Sequence, residues 1–286
     1  MAPEKVTVEI TPCQDVPEEG ATVDVSVRIS IPDGDHEKRQ PTDFVCLIDT
    51  SGSMSVSAIN RNCDPDTKDE GYSVLDIVKH AVNSVMDMLS PQDRVAVVAF
   101  HSMDELVFPL TLMDVNGKKR SREILAPFKA RGATNLWAGI HRSMEILRTD
   151  EMPGSRKKSI LLLTDGIPNR APPTGYIPDI RNYMDQHPKF KFQMNTFGFG
   201  YQLQSQLLLE LASECNGTYS FIPVAPNVGT VFVNTVSNVL SNFTQSATLK
   251  LAPAPGATFT GPVGADLDSS DEAWGKYIYL GPLQHG

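Results

Sequence analysis

The sequence predicts an α/β domain with a doubly wound, mostly parallel sheet, joined to a small antiparallel β module formed from both termini. Three observations carry that expectation. Short continuous apolar runs such as Phe44-Val45-Cys46-Leu47-Ile48 recur through the middle of the chain, as strands covered on both faces require. Between them lie segments with apolar residues at i, i+3 and i+4, and this alternation builds parallel sheets with crossover helices. Both ends instead alternate apolar and polar residues one by one, the mark of half-buried antiparallel strands.

In chain order, 5–10 and 22–31 read as strands of the β module. Core strands are expected over 44–48, 94–100, 105–110, 159–164, 191–199 and 218–222. Helical patterns lie near 73–90, 118–128, 135–149, 177–187, 203–214 and 227–243. In the first of these, Val74, Ile77, Val78, Ala81, Val82, Val85 and Leu89 line one face, and Ser90-Pro91 ends it because the residue before proline leaves the helical region. Residues 246–251 and 274–280 alternate again, whereas the Pro/Gly-rich 252–264 and the acidic, small-residue 265–273 read as loops. The expected division is 1–40 for the N-terminal strands, 41–244 for the α/β domain and 245–286 for the C-terminal strands. The last residues read as a point where a longer chain continues into a further strand.

Composition narrows the function classes. A net charge of −9 over 286 residues argues against nucleic acid as the partner, since phosphate binding needs a basic face. Lys118, Lys119, Arg120 and Arg122 are a local exception, read first as a solvated helix start. No window approaches the about 20 apolar residues of a membrane helix, and the N-terminus lacks a signal-peptide core. The four cysteines, Cys13, Cys46, Cys63 and Cys215, are far apart and fit no metal spacing. Together these features predict a cytoplasmic protein without membrane insertion; oligomeric state is left open.

The chemistry concentrates where the first core strand ends, at Asp49-Thr50-Ser51-Gly52-Ser53-Met54. Residues 49, 51 and 53 are short oxygen donors, and Gly52 is expected to give the freedom that lets them converge. Two more loops should meet this one at the carboxyl ends of the strands, where open α/β sheets hold ligands. They are Gly132-Ala133-Thr134-Asn135 and Thr164-Asp165-Gly166. Carboxylates and hydroxyls are hard ligands, suited to Mg²⁺, Mn²⁺ or Ca²⁺. Each residue also has an ordinary use: Ser51, Ser53 or Thr134 as a helix cap, Asp165 as a turn former.

Asp49, Ser51, Ser53, Thr134 and Asp165 together resemble the von Willebrand factor A family, whose metal-ion-dependent adhesion site combines a D-x-S-x-S loop, a threonine and an aspartate. The likeness spans roughly 44–243. It implies the Rossmann-like A-domain fold and Mg²⁺ (or Mn²⁺ or Ca²⁺), with Ser51, Ser53 and Thr134 on the metal and Asp49 and Asp165 acting largely through water. It further implies non-catalytic, cation-dependent protein binding, in which a partner's Asp or Glu carboxylate completes the metal's ligands. Thr196–Gly200 and Gly217–Ile222 look like A domains of eukaryotic intracellular multidomain proteins, including RING-type ubiquitin ligases and proteins joining an A domain to a U-box or Hedgehog/intein-like domain. That likeness implies a recruiting segment of a larger protein.

Relative to common A domains, 55–72 is an insertion beside the metal loop, and its Asp64, Asp66 and Asp69 fit no calcium loop because Lys68 takes the fifth position. With Met54, His101 and Asn135 they form the expected partner-binding rim. Trp137, in the first turn after Thr134, reads as buried against the sheet, with rim contact as the other use. The alternative chemistry is phosphotransfer through Asp49 beside Mg²⁺. Against it, serines stand where a second carboxylate is wanted and no phosphate loop exists.

Overall fold

A computed structural model of the chain describes residues 6–13, 21–31, 39–57, 72–150, 152, 155–200, 203–222, 228–261 and 268–284. They divide into two compact units. One comprises 1–39 and 241–286, the other 40–240.

The larger unit holds a six-stranded sheet in the order β5-β4-β3-β6-β7-β8. Its strands are β3 (Thr42–Asp49), β4 (Arg94–Phe100), β5 (Asp104–Leu112), β6 (Lys157–Thr164), β7 (Gln193–Phe199) and β8 (Tyr219–Ile222). All pair in parallel except β5, which runs antiparallel to β4 at the edge. The helices are α1 (Val74–Met88), α2 (Val115–Leu125), α3 (Leu136–Thr149), α4 (Tyr176–Gln186), α5 (Ser205–Glu214) and α6 (Val228–Ser241). A single-turn 3₁₀ helix, Gly52–Ser55, follows β3.

The continuous apolar runs are explained by burial on both faces. Along β3, Phe44, Cys46 and Ile48 join one core with α1 and α6, while Val45 and Leu47 join another with α3, α4 and α5. Cys46 is a fully buried hydrophobe, and burial pushes its thiol up to about 12. The rings of Phe197 and Phe232 stack 4.1 Å apart between β7 and α6. After β3 the chain moves to β4 on one side and later returns to β6 on the other. This places the topological switch point at the carboxyl end of β3.

Helix ends follow local chemistry. Ser73 and Asp76 form a reciprocal capping box at the start of α1. Helix α2 starts three residues earlier than its apolar pattern suggests, because the Asp114 carboxylate accepts from the Gly117 N–H at 2.7 Å and caps it. Lys118 and Arg122 are not simply solvated: Lys118 Nζ donates to the Leu89 carbonyl at 2.8 Å, and Arg122 pairs with Asp87. Gly139 lets α3 lie close on the sheet, since a Cβ there would sit 2.7 Å from Leu47 Cδ1 and 3.0 Å from Phe100 Cβ.

The terminal unit contains two small antiparallel sheets. One pairs β1 (Thr7–Pro12) with β2 (Val25–Ser30); the other has the order β10-β11-β9, from β9 (Asn242–Leu251), β10 (Ser269–Glu272) and β11 (Gly275–Gln284). Strand β10 lies where the sequence reads as a loop: Ser-Ser-Asp-Glu is exposed throughout, so no apolar alternation marks it. Among the described residues no helix is long and apolar enough to cross a membrane.

Candidate metal centre

Asp49 ends β3, fully buried, with neutral donors on both oxygens. The Ser51 N–H donates to Oδ1 at 2.8 Å, and Thr164 Oγ1, at the end of neighbouring β6, donates to Oδ2 at 2.6 Å. The 3₁₀ turn then brings the serines round. Ser51 Oγ lies 3.0 Å from Ser53 Oγ, and Ser53 Oγ donates to Asp165 Oδ1 at 2.8 Å.

Backbone hydrogen bonds stitch the threonine loop to the chain after β3 and to the end of β4. Arg131 N–H donates to the Thr50 carbonyl (2.6 Å), Gly52 N–H to the Gly132 carbonyl (3.1 Å) and Asn135 N–H to the His101 carbonyl (2.7 Å). Gly52 needs no unusual backbone angle and contributes through this bond, so the freedom expected of it is not what closes the loop. The left-handed residue is Gly132, at φ 77°, where a Cβ would also collide with Ser102 Oγ at 2.9 Å.

The oxygens converge on one point. A Cβ built on Gly166 would meet Ser53 Oγ at 3.7 Å, Asp49 Oδ2 at 3.8 Å and Thr134 Oγ1 at 3.8 Å. Residue 166 thus carries no side chain where three oxygen donors face one another. Ser51, Thr134 and Asp165 are not committed to the ordinary uses of such donors. Asn135 caps α3 with its side chain, and Ser51 at the head of the 3₁₀ turn makes no side-chain cap bond. The turn after β6 is closed by Thr164 Oγ1 accepting from the Gly166 N–H at 3.2 Å.

Electrostatics complete the picture. Burial pushes Asp49 above its ordinary value, against hydrogen bonds from Thr164 and Ser51. Burial and then the Asp49 charge push Asp165 up to about 6, opposed by Ser53. Among the described residues no Lys, Arg or His pairs with either carboxylate. Two desolvated carboxylates without a counter-charge make a site that favours positive charge. The donor set, carboxylates with hydroxyls, fits a hard divalent cation. It lacks the His, Cys or third carboxylate that a closed site uses, and no such cluster occurs among the described residues.

The expected rim fares unevenly. Met54 is wholly buried in the α1-side core, because the 3₁₀ turn folds it inward, so it is not a rim residue. His101 is 9% exposed, with Nδ1 facing the Met103 N–H at 3.4 Å, and presents little surface. Asn135 is half-buried and committed to its cap. Asp64, Asp66 and Asp69 lie outside the described residues. Trp137 packs at the core edge, its ring 6.2 Å from those of Tyr176 and His141. Exposed apolar side chains do stand near the site, at Val56 after β3, Met103 in the turn between β4 and β5, and Ile167 after β6. Three further residues hold the site: Thr164, Ser102, which accepts from the Ala133 N–H, and Asn169, which bonds Thr134. Sequence reasoning placed the first two beside the site without giving them this role, and missed Asn169 and the exposed apolar side chains.

Residues 44–167 match the von Willebrand factor type A domain. Among solved structures, a von Willebrand factor type A protein from Catenulispora acidiphila superposes with a TM-score of 0.66 at 19% identity, covering 92% of this chain and 57% of that one. The pilus adhesin SpaC from Lactobacillus rhamnosus GG, in an open conformation, gives 0.54 at 13% identity over 92% of this chain and 39% of its own. Proximal thread matrix protein 1 of the mussel byssus, with a zinc occupied MIDAS motif, gives 0.51 at 16% identity over 71% and 46%. No curated protein matches. The chain therefore spans little more than half of the Catenulispora protein and less of the other two. The α/β unit, which carries the matched residues 44–167, therefore has the fold of a von Willebrand factor type A domain.

Proposed function

We propose that the α/β unit is a cation-dependent protein-binding module, in which the loops after β3 and β6 and before α3 hold one divalent cation. The observation that carries this reading is the convergence of Ser53, Asp49 and Thr134 oxygens around the side-chain-free position of Gly166, beside a second carboxylate and with no basic partner among the described residues. Ser51, Ser53 and Thr134 would hold the ion directly, and Asp49 and Asp165 through water; Mg²⁺ is the first choice, with Mn²⁺ and Ca²⁺ of the same hard class. A cation held mainly by neutral hydroxyls keeps its electrophilicity, so its chemistry there is to accept an Asp or Glu carboxylate from a partner. Thr164 and the Ser51 N–H fix Asp49, which keeps the donors oriented.

Von Willebrand factor A domains typically serve as interaction modules. The byssus protein's zinc occupied MIDAS motif supports the capacity of this fold to hold a cation at that place. SpaC supports an adhesive use. We read the module as non-enzymatic. As a phosphotransfer nucleophile, Asp49 would need an exposed oxygen, whereas it is fully buried and both oxygens are engaged. The narrower likeness to intracellular RING, U-box and Hedgehog/intein-like proteins belongs to the same proposal, with this segment recruiting partners or substrates in the cytoplasm.

Calorimetric titration of the chain with Mg²⁺, Mn²⁺ and Ca²⁺ tests the site: one ion should bind wild type and none Asp49→Ala. Partners captured from extract should then depend on both the cation and Asp49. Equal retention with Mg²⁺ and EDTA, by wild type and Asp49→Ala alike, would refute metal bridging.

A further inference from the structure

Thr134 and Asp165 sit on loops separated by 31 residues, and both must be correctly placed before a cation can use them. One residue joins those loops. The Thr134 N–H donates to Asn169 Oδ1 at 3.3 Å, and the Asn169 N–H donates to the Thr134 carbonyl at 3.1 Å. This closed pair imitates a rung of sheet, with a side-chain amide in place of one carbonyl. It is not the ordinary use of a loop asparagine, which is to bond its own backbone two residues on; the Asn169 carbonyl oxygen reaches across 35 residues instead.

The surroundings show why this contact matters. On its other side the threonine loop is fixed to the end of β4, through Ala133 N–H to Ser102 Oγ and Asn135 N–H to the His101 carbonyl. Ser53 and Thr164 already tie the β3 loop to the β6 loop. Among the described residues, the Asn169 pair alone hydrogen-bonds the threonine loop to the β6 loop. Thr134 is 7% exposed, so its N–H has little access to water in exchange. Asn169 is exposed and has no burial of its own to satisfy.

We propose that Asn169 is a positioning residue that sets the distance of Thr134 Oγ1 from the Ser53, Asp49 and Asp165 oxygens before any cation arrives. This rests on the cation-site reading above. Asn169 does not touch the ion; it acts through Thr134, as residues behind metal ligands do, and their loss typically weakens binding about 10- to 100-fold. The 3.3 Å bond places the effect at the lower end.

The test measures Mn²⁺ affinity by calorimetry for wild type, Asp49→Ala, Asn169→Ala and Asn169→Asp, with amide exchange of Thr134 in EDTA. Asn169→Ala should bind about tenfold more weakly and free the Thr134 amide, with thermal stability in EDTA near wild type. Asn169→Asp, which keeps the acceptor, should restore amide protection and bind at least as tightly as wild type. Asn169→Ala within twofold of wild type, with Asp49→Ala inactive, would overturn the positioning role and leave the cation site standing. Asp49→Ala binding like wild type would overturn the site itself. If Asn169→Ala does not fold, two results still decide: an unprotected Thr134 amide in wild type, or weak binding by Asn169→Asp, overturns the proposal.

Discussion

Strand β3 carries a buried aspartate near each end, and the two have opposite settings. Asp43, 1% exposed, receives Arg94 through Nε at 2.9 Å and Nη2 at 2.6 Å, and Arg156 through Nε at 2.7 Å. Arg94 also reaches Asp150, after α3, at 2.8 Å. Among the described residues, Asp49 receives only neutral donors, from Ser51 and Thr164. At the Asp43 pole the buried charges are mutually neutralised and hydrogen-bonded, which is how a fold tolerates them. At the Asp49 pole a second carboxylate adds to the imbalance. The contrast teaches that burial of a charge does not by itself mark a functional site. What separates the poles is that, among the described residues, basic partners stand at Asp43 and none at Asp49.

The largest expected effect comes from removing Asp43. Asp43→Ala leaves buried Arg94 with Asp150 as its remaining carboxylate and half-buried Arg156 with the Gln92 carbonyl, and should cost about 3 kcal/mol in denaturant unfolding, with or without cation. Asp49→Asn should change unfolding in EDTA by less than about 1 kcal/mol. It should forfeit the cation-linked gain, which for wild type is about 2.7 kcal/mol at a hundredfold excess over Kd. Equal losses in EDTA from both variants would erase the distinction. Gly139→Ala tests the helix that links the poles, since α3 begins beside Thr134 and leads to Asp150. Pushing it off Leu47 and Phe100 should cost about 1–3 kcal/mol and weaken cation binding as well.

Acid titration gives the smallest effect, with opposite signs at the two poles. Burial raises Asp150, but hydrogen bonds from Arg94 and the Met152 N–H and the Arg94 charge outweigh it and hold it below its ordinary value. Its contribution is complete above the unfolded value and is lost as pH falls through the folded one. Asp165 in EDTA is pushed up to about 6. Its ionised form burdens the native state, so lowering the pH from 7 towards 4 relieves that burden. In EDTA, Asp165→Asn should remove the gain between pH 7 and 4, and Asp150→Asn should flatten the decline below it. Unchanged profiles would contradict both assignments.

Much of this was legible in the sequence because burial on both faces writes continuous apolar runs, and because oxygen donors at 49, 51 and 53 follow a strand end. What was not legible depends on contacts between distant loops. Asn169 and Thr164 look like ordinary turn residues until the loops meet. Met54 follows Ser53 in a polar stretch, and only the sense of the 3₁₀ turn sends it into the core. Strand β10 is set by pairing with β11 rather than by its own side chains. The early start of α2 comes from a single cap, Asp114.

Lys157 gives the α/β unit a mechanical polarity. It pairs in register with Thr42, where the chain enters β3, and its Nζ donates to the carbonyl of Leu240, where the unit ends, at 3.3 Å. Both covalent tethers of the unit therefore gather at one pole, with the candidate metal loops at the other, roughly 23 Å away along the seven residue steps of β3. A partner pulling on those loops would load β3 along its length against β4 and β6, with the hydrogen bonds of both neighbours resisting together in shear. The same layout that frees one end of the sheet for recognition makes its central strand the line along which tension would travel.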